Sequence, residues 1–183
     1  NYDNTISVID LETFTEIKKI EVAINLHRIK GDKYGMLYTS SRGNYYNVPS
    51  KLYIIDCYKD QLVDSLDIAV SNMCIDGDSA YVYSTEWNYT AGDNTVTYGI
   101  IDLKKREVVS RNFIKDGTDK KIKIPYGIAI HPITKDIYVT DAKNYVSPGT
   151  LYCFSKEGIL KWKTMTGDIP AHFAFKGKLK NEN

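Results

Sequence analysis

The chain has 183 residues, of which 43% are hydrophobic and 26% are charged, a composition typical of a folded globular domain. It is too apolar for a disordered chain. The 24 basic and 23 acidic residues leave a net charge of +1, which gives no electrostatic reason to expect a nucleic acid partner. No apolar run is long enough for a transmembrane helix, and the polar first residues predict no signal peptide.

The three cysteines, Cys57, Cys74 and Cys153, are widely spaced along the chain. They contain no Cys-x-x-Cys pair, so neither a disulfide framework nor a zinc site is predicted. We expect all three to be small buried side chains.

A short apolar strand that ends in a polar residue recurs along the chain, and its first three copies are 46 residues apart. The copies are SVID at 7–10, YIID at 53–56, GIID at 99–102 and a degenerate LYCFS at 151–155. A polar turn and a second strand follow each copy, and another hairpin with Gly, Asp or Pro in its turn lies between copies. Units of four short antiparallel strands every ~45 residues are typical of the blades of a β-propeller.

The strand count predicts an all-β protein, a partial β-propeller of about three to four four-stranded antiparallel blades. This propeller spans 1–178, and a polar tail follows at 179–183. The predicted pieces are strands C and D of one blade at 1–22, whole blades at 24–68, 70–114 and 125–167, and strand A of a last blade at 170–178.

The segment IYVTD at 137–141, preceded by IHP at 130–132, resembles the YVTN-type β-propeller repeat. Looser copies lie at 37–40 and 81–84. This repeat is found in surface-layer-like propeller proteins of bacteria, including Bacteroides-type surface lipoproteins. The resemblance implies a parent of about seven blades, of which this chain would be the C-terminal half. It also implies a location at the cell surface or in the periplasm.

An open arc of blades exposes sheet faces and unpaired strand edges, which favours pairing with another chain. We therefore expect a partner that is either a second copy or the missing N-terminal half. Alternatively, the strands at 1–22 and 170–178 share a fourth blade and close a small ring.

The loops between strands B and C are long and aromatic, and the dipeptide Asn-Tyr recurs in them. Long loops on a rigid scaffold often carry function, and exposed Tyr and Trp suit a glycan, a peptide or a protein partner. The candidate ligand-binding residues are Arg42, Tyr45, Tyr46, Glu86, Trp87, Tyr89 and Tyr145. In the structural alternative, the repeated Asn holds a left-handed turn and the Tyr packs on the next blade.

Two histidines, His27 and His172, fall near the start of a predicted strand A, beside the central channel, and Met73 is at the corresponding place in another unit. These three are the candidate channel-lining residues. No third metal ligand follows at a suitable spacing, so no metal and no cofactor are predicted. His131 precedes Pro132 and is expected to be a structural turn residue.

No nucleophile elbow, phosphate-binding loop or dinucleotide fingerprint occurs, so we assign no catalytic residue and expect a non-catalytic binding scaffold. The alternative is a propeller-type enzyme, a lactone hydrolase or a lyase, acting at the central channel. Its candidate groups are His27, Glu86, Asp141 and His172.

Three further groups of polar residues have structural interpretations. The recurrent Asp10, Asp56 and Asp102 are expected to accept hydrogen bonds from turn backbone N–H groups. The segment 76–78 is expected to be a two-residue hairpin turn rather than part of a calcium site, because the remaining ligands are missing. The lysines within 115–123 are expected to lie on a solvated loop.

Overall fold

The structure, a computed structural model, describes residues 3–88 and 92–176. Tyr89, the polar tail at 179–183 and the end of the predicted strand at 170–178 lie outside the described residues. The described residues form fourteen β-strands and one short 3₁₀ helix. They divide into two compact units, Asn1–Phe113 and Ile114–Asn183.

The first unit contains a two-stranded sheet and two four-stranded sheets, all antiparallel. The two-stranded sheet consists of β1 (Thr5–Ile9) and β2 (Glu16–Glu21). The next sheet consists of β3 (Leu26–Gly31), β4 (Met36–Ser41), β5 (Lys51–Asp56) and β6 (Gln61–Leu66). The third consists of β7 (Asn72–Asp76), β8 (Ser79–Asn88), β9 (Asp93–Asp102) and β10 (Glu107–Ser110).

The second unit begins with the 3₁₀ helix Thr118–Lys121 and continues into one four-stranded antiparallel sheet. That sheet consists of β11 (Pro125–Ile130), β12 (Ile137–Asp141), β13 (Thr150–Phe154) and β14 (Leu160–Met165). In all three four-stranded sheets each strand pairs with the next strand along the chain. The all-β prediction is therefore confirmed.

The core of the first unit lies between its two four-stranded sheets and is built from side chains of their inner strands. Tyr38, Leu52 and Ile54 are fully buried there and share one apolar cluster with Val82 and Ile101. The outermost strand β6 is exposed along most of its length. Burial thus decreases from the middle strands β4 and β5 to the outermost strand β6. Because the middle strands are covered on both faces, they carry mainly apolar residues, whereas the outermost strand carries exposed polar residues.

The turns after β1, β5 and β9 are each held by one recurrent carboxylate, as the sequence predicts. Asp56 Oδ1 accepts the backbone N–H groups of Tyr58 and Lys59 at 2.9 and 3.1 Å. Asp10 and Asp102 accept the equivalent pairs of N–H groups. These bonds satisfy donors that the turn would otherwise leave to solvent, so the structural role of the carboxylates is confirmed.

The segment 76–78 forms a hairpin turn between β7 and β8, also as predicted, with Gly77 at a φ of 60°. The Asp78 carboxylate is engaged by Lys33 at 2.7 Å, by Lys104 at 3.0 Å and by the Tyr34 hydroxyl at 2.5 Å. These hydrogen bonds hold the pKa of Asp78 well below its usual range. The carboxylate is thus a structural ion-pair partner.

His131 has the turn role that the sequence predicts. Its Nδ1 accepts the backbone N–H groups of Ile133 and Thr134 at 3.2 and 3.1 Å. The ring therefore substitutes for the Asp that holds other turns.

Two local expectations are wrong. Cys57 is exposed, because it follows Asp56 at the start of a surface turn, and Cys74 is only partly buried, whereas Cys153 is buried as expected. Residues 170–176 form no strand, although strand A of a last blade was predicted there. A strand needs a hydrogen-bonding neighbour, and these residues instead make isolated contacts such as the bond from Thr140 Oγ1 to Pro170 O at 2.5 Å.

Candidate ligand-binding face

The loop between β4 and β5 is held in shape by one asparagine. Asn44 Oδ1 accepts the backbone N–H groups of Tyr46, Asn47 and Val48 at 3.0, 3.0 and 2.8 Å. Tyr45 takes the left-handed conformation with a φ of 63°, so the left-handed residue is the Tyr and not the Asn of the pair. The result is a fixed loop that presents Tyr45 at 63% and Tyr46 at 95% exposure.

The loop between β12 and β13 in the second unit repeats this geometry. Asn144 Oδ1 accepts the N–H groups of Val146 and Ser147 at 3.2 and 2.8 Å, and Tyr145 has a φ of 66°. The Tyr145 ring packs edge-on against Tyr126, with the centroids 5.8 Å apart. Tyr126 belongs to the same sheet, so for this copy the predicted packing on the next blade is wrong. Asn44 and Asn144 therefore hold their turns through their side chains, whereas Asn88 lies in β8 and Asn1 is outside the described residues.

Glu86 and Trp87 were predicted in a loop, but they lie near the end of the ten-residue strand β8. Trp87 is opposite Asn94 of β9 in this long hairpin, and its side chain is 53% exposed. Ser50 Oγ donates a hydrogen bond to Glu86 Oε1, which ties the end of the β4–β5 loop to the hairpin.

The first unit contains five of the predicted residues, at the β4–β5 loop and near the end of β8, and the Ser50–Glu86 bond joins these two segments. We call Arg42, Tyr45, Tyr46, Glu86 and Trp87 the aromatic face. Their positions follow from the Asn44 turn and from the Ser50–Glu86 bond, both of which fix otherwise mobile groups. Tyr145 belongs to the second unit and is not part of this face.

Arg42 is anchored at the base of the aromatic face by His27. Its Nη2 lies 2.7 Å from His27 Nε2. A guanidinium has only donors, so Nε2 must accept and the neutral ring carries its proton on Nδ1. Burial, followed by the charges of Arg42 and Arg28, lowers the pKa of His27 to about 4.

We expect an NMR titration of the His27 ring to give a midpoint near pH 4, and we expect Arg42→Gln to raise this pKa toward the ordinary histidine value of 6.5. The folded protein holds fewer protons than the unfolded chain between these values, so stability falls as pH drops from about 6.5 toward 4. Arg111→Gln removes an exposed arginine elsewhere in the unit and is the matched control. A midpoint that Arg42→Gln leaves unchanged contradicts this coupling.

The other two predicted channel residues are placed differently. Met73 on β7 is 1% exposed and belongs to the core cluster of the first unit, so it fills the core rather than lining an open surface. His172 is an exposed residue of the second unit.

Three of the four groups proposed for an enzyme have separate structural partners. His27 is bonded to Arg42, and Glu86 accepts from Ser50. Asp141 is 2% exposed and accepts three backbone N–H groups. Within residues 3–88 and 92–176, no group of three His, Cys, Asp or Glu side chains could hold a metal ion. None of the described helices is long and apolar enough to cross a membrane.

No family model matches the chain, and no curated protein matches it. Among solved structures, it is similar to one described as "Structure of Dos1 propeller", with a TM-score of 0.60 and 15% sequence identity. The match covers 92% of this chain and 44% of that chain, so this chain spans less than half the length of the structure it matches. The sheets and this likeness define a partial β-propeller, as the sequence predicts. The YVTN type of the repeat stays a prediction.

Proposed function

We propose that this chain is a non-catalytic propeller scaffold that binds a glycan through the aromatic face. The observation that carries the proposal is the exposure of Tyr45, Tyr46 and Trp87 on two segments, the fixed β4–β5 loop and the end of β8, that the Ser50–Glu86 bond joins. Exposed aromatic side chains on neighbouring segments are typical of a binding site, whereas single exposed apolar residues are common on any protein surface.

The chemistry of the face fits a sugar. Flat rings with a polar edge offer apolar contact area to sugar rings at a low cost in side-chain entropy. Arg42 supplies charged donors and Glu86 supplies acceptors beside these rings, which suits hydroxyl groups. The loop is pinned by Asn44, so little ordering is required on binding.

The resemblance of residues 137–141 to the YVTN repeat supports a further part of the proposal, a location in the bacterial cell envelope. The 44% coverage and the two-stranded sheet β1–β2 support completion of the ring by further blades, from a second copy or another segment. Light scattering on purified chain would report association of copies as a mass of about 42 kDa, twice 20.8 kDa.

A glycan array would first identify a neutral oligosaccharide that binds the chain. We expect Tyr46→Ala and Trp87→Ala each to weaken binding of that oligosaccharide at least roughly tenfold. Loss of one stacked ring removes both apolar contact and a fixed partner for the sugar. Calorimetry with that oligosaccharide measures the change.

Tyr58→Ala is the matched control, because Tyr58 is 83% exposed and lies in the turn at the other end of β5. This variant should bind like the unmodified chain. Equal weakening by all three variants, or no retained glycan, would overturn the assignment. Retention of an extended peptide on the same face would indicate a peptide receptor instead.

A further inference from the structure

A depression of about 220 Å³ lies in the second unit, whereas all residues of the aromatic face belong to the first unit. Its lining residues are Lys121, Lys123, Asp141, Lys143, Asn144 and Tyr152. They come from the end of the 3₁₀ helix, the linker to β11, the last residue of β12, the β12–β13 loop and β13.

Three of the residues that line this depression are lysines, and none of them has an ion-pair partner among the described residues. In the part of the chain that the structure describes, Lys121, Lys123 and Lys143 form no salt bridge. Other lysines of the unit, such as Lys156 and Lys161, do pair with carboxylates. Lysines that share a concave surface repel one another unless an anion lies between them.

The lining carboxylate forms no salt bridge with these lysines, which leaves an excess of positive charge around the depression. Asp141 Oδ1 accepts the backbone N–H groups of Ile124 and Lys143 at 2.9 and 2.8 Å, and Oδ2 accepts the N–H of Lys123 at 3.2 Å. Its oxygens are thus directed at the backbone. The same bonds hold the Lys123 and Lys143 segments together, so the cationic arrangement is built into the fold.

The remaining lining groups are neutral. Asn144 uses its Oδ1 for the turn and donates from Nδ2 to Ser147 Oγ. The Tyr152 ring is 5% exposed and stacks on Phe154 with an interplanar angle of 13°. Burial raises the pKa of its hydroxyl, which therefore stays protonated and adds no negative charge.

We propose that this depression binds a phosphate or sulfate group through the ammonium groups of Lys121, Lys123 and Lys143. The volume is below the roughly 300–1,000 Å³ of pockets for drug-sized ligands, so it suits a small charged group rather than a whole large ligand. Three rotatable ammonium donors complement a compact oxyanion that carries two charges and several acceptor oxygens.

The experiment is an amide NMR titration of the whole chain with sodium phosphate, sodium sulfate and sodium acetate at constant ionic strength. We expect saturable shifts at residues 121–124 and 141–145, with a dissociation constant on the order of 1 mM for phosphate or sulfate. Acetate, with one charge, should bind at least roughly fivefold more weakly.

Lys123→Gln should weaken phosphate binding roughly tenfold, as expected for the loss of one charge-assisted hydrogen bond. Lys156→Gln removes one charge from an exposed turn of the same unit and should leave binding unchanged. The thermal midpoint of each variant checks that it is folded.

Three outcomes would overturn the proposal: no saturation with phosphate or sulfate, equal affinity for acetate, or equal weakening by the Lys156→Gln control. Binding of only one of the two anions would show whether the natural ligand carries a phosphate or a sulfate group. These readouts are independent of the glycan assay, because the variants lie in different units.

Discussion

Tyr38→Ala is expected to lower the free energy of unfolding by about 3–5 kcal/mol, the usual cost of deleting a buried aromatic ring. Tyr38 is 0% exposed and packs in the apolar cluster with Leu52, Ile54 and Leu103. Truncation would leave a cavity between two four-stranded sheets, and rigid paired strands cannot collapse to fill it. Urea unfolding of the whole chain, followed by circular dichroism, measures the change.

Tyr38→Phe separates the contribution of ring packing to stability from that of the hydroxyl's hydrogen bonds. The hydroxyl donates to Asp32 Oδ2 at 3.2 Å and to Leu103 O at 3.3 Å, both long bonds, so its loss should cost only about 1 kcal/mol. Tyr58→Ala, at 83% exposure, should change stability by less than about 0.5 kcal/mol. Similar costs for Tyr38→Ala and Tyr38→Phe would show that packing is not the main contribution of this ring.

Local and periodic features of the fold could be predicted from the sequence. The strand ending in Asp recurs at 46-residue spacing, and each Asp closes its own turn within three residues. Such signals need no knowledge of distant contacts, because the acceptor and the donors are neighbours in the chain.

Features that depend on partner strands could not be predicted in the same way. Residues 86–88 and 93–94 look like loop sequence, but they are paired in the extended β8–β9 hairpin. Residues 172–175 look like a strand but form none, because a strand needs a hydrogen-bonding neighbour. In both cases the pairing partner, and not local propensity, decides the outcome.

The lysine depression also could not be predicted from the sequence. Lys121 and Lys123 belong to a segment that reads as a solvated loop, and Lys143 lies 20 or more residues later. The Asp141 side chain brings the segments together through backbone N–H groups, and this contact between segments distant in the chain cannot be read from the sequence around Asp141. The β4–β5 loop of the aromatic face was easier to predict, because its Asn-Tyr pair recurs in the β12–β13 loop.

Asp141→Ala is expected to lower the free energy of unfolding of the second unit by about 3–5 kcal/mol. Each of the three backbone N–H groups that lose their acceptor would cost about 1 kcal/mol or more, since buried donors cannot turn to water. Asp141 is 2% exposed, so solvent cannot replace its oxygens without opening the loop. Trp162 on β14 lies in the same unit, and its fluorescence during urea unfolding measures the effect.

Asp141→Asn should lower the free energy of unfolding less than Asp141→Ala does. Its retained Oδ1 can still accept from Ile124 and Lys143, whereas the new amide N–H₂ faces the Lys123 N–H, so roughly half of the loss is expected. Asp168→Ala removes an exposed carboxylate from the same unit and should cost less than about 0.5 kcal/mol. If Asp141→Ala costs no more than Asp168→Ala, the three backbone bonds do not hold the Lys123 and Lys143 segments together. The lysine depression would then need another explanation for its shape.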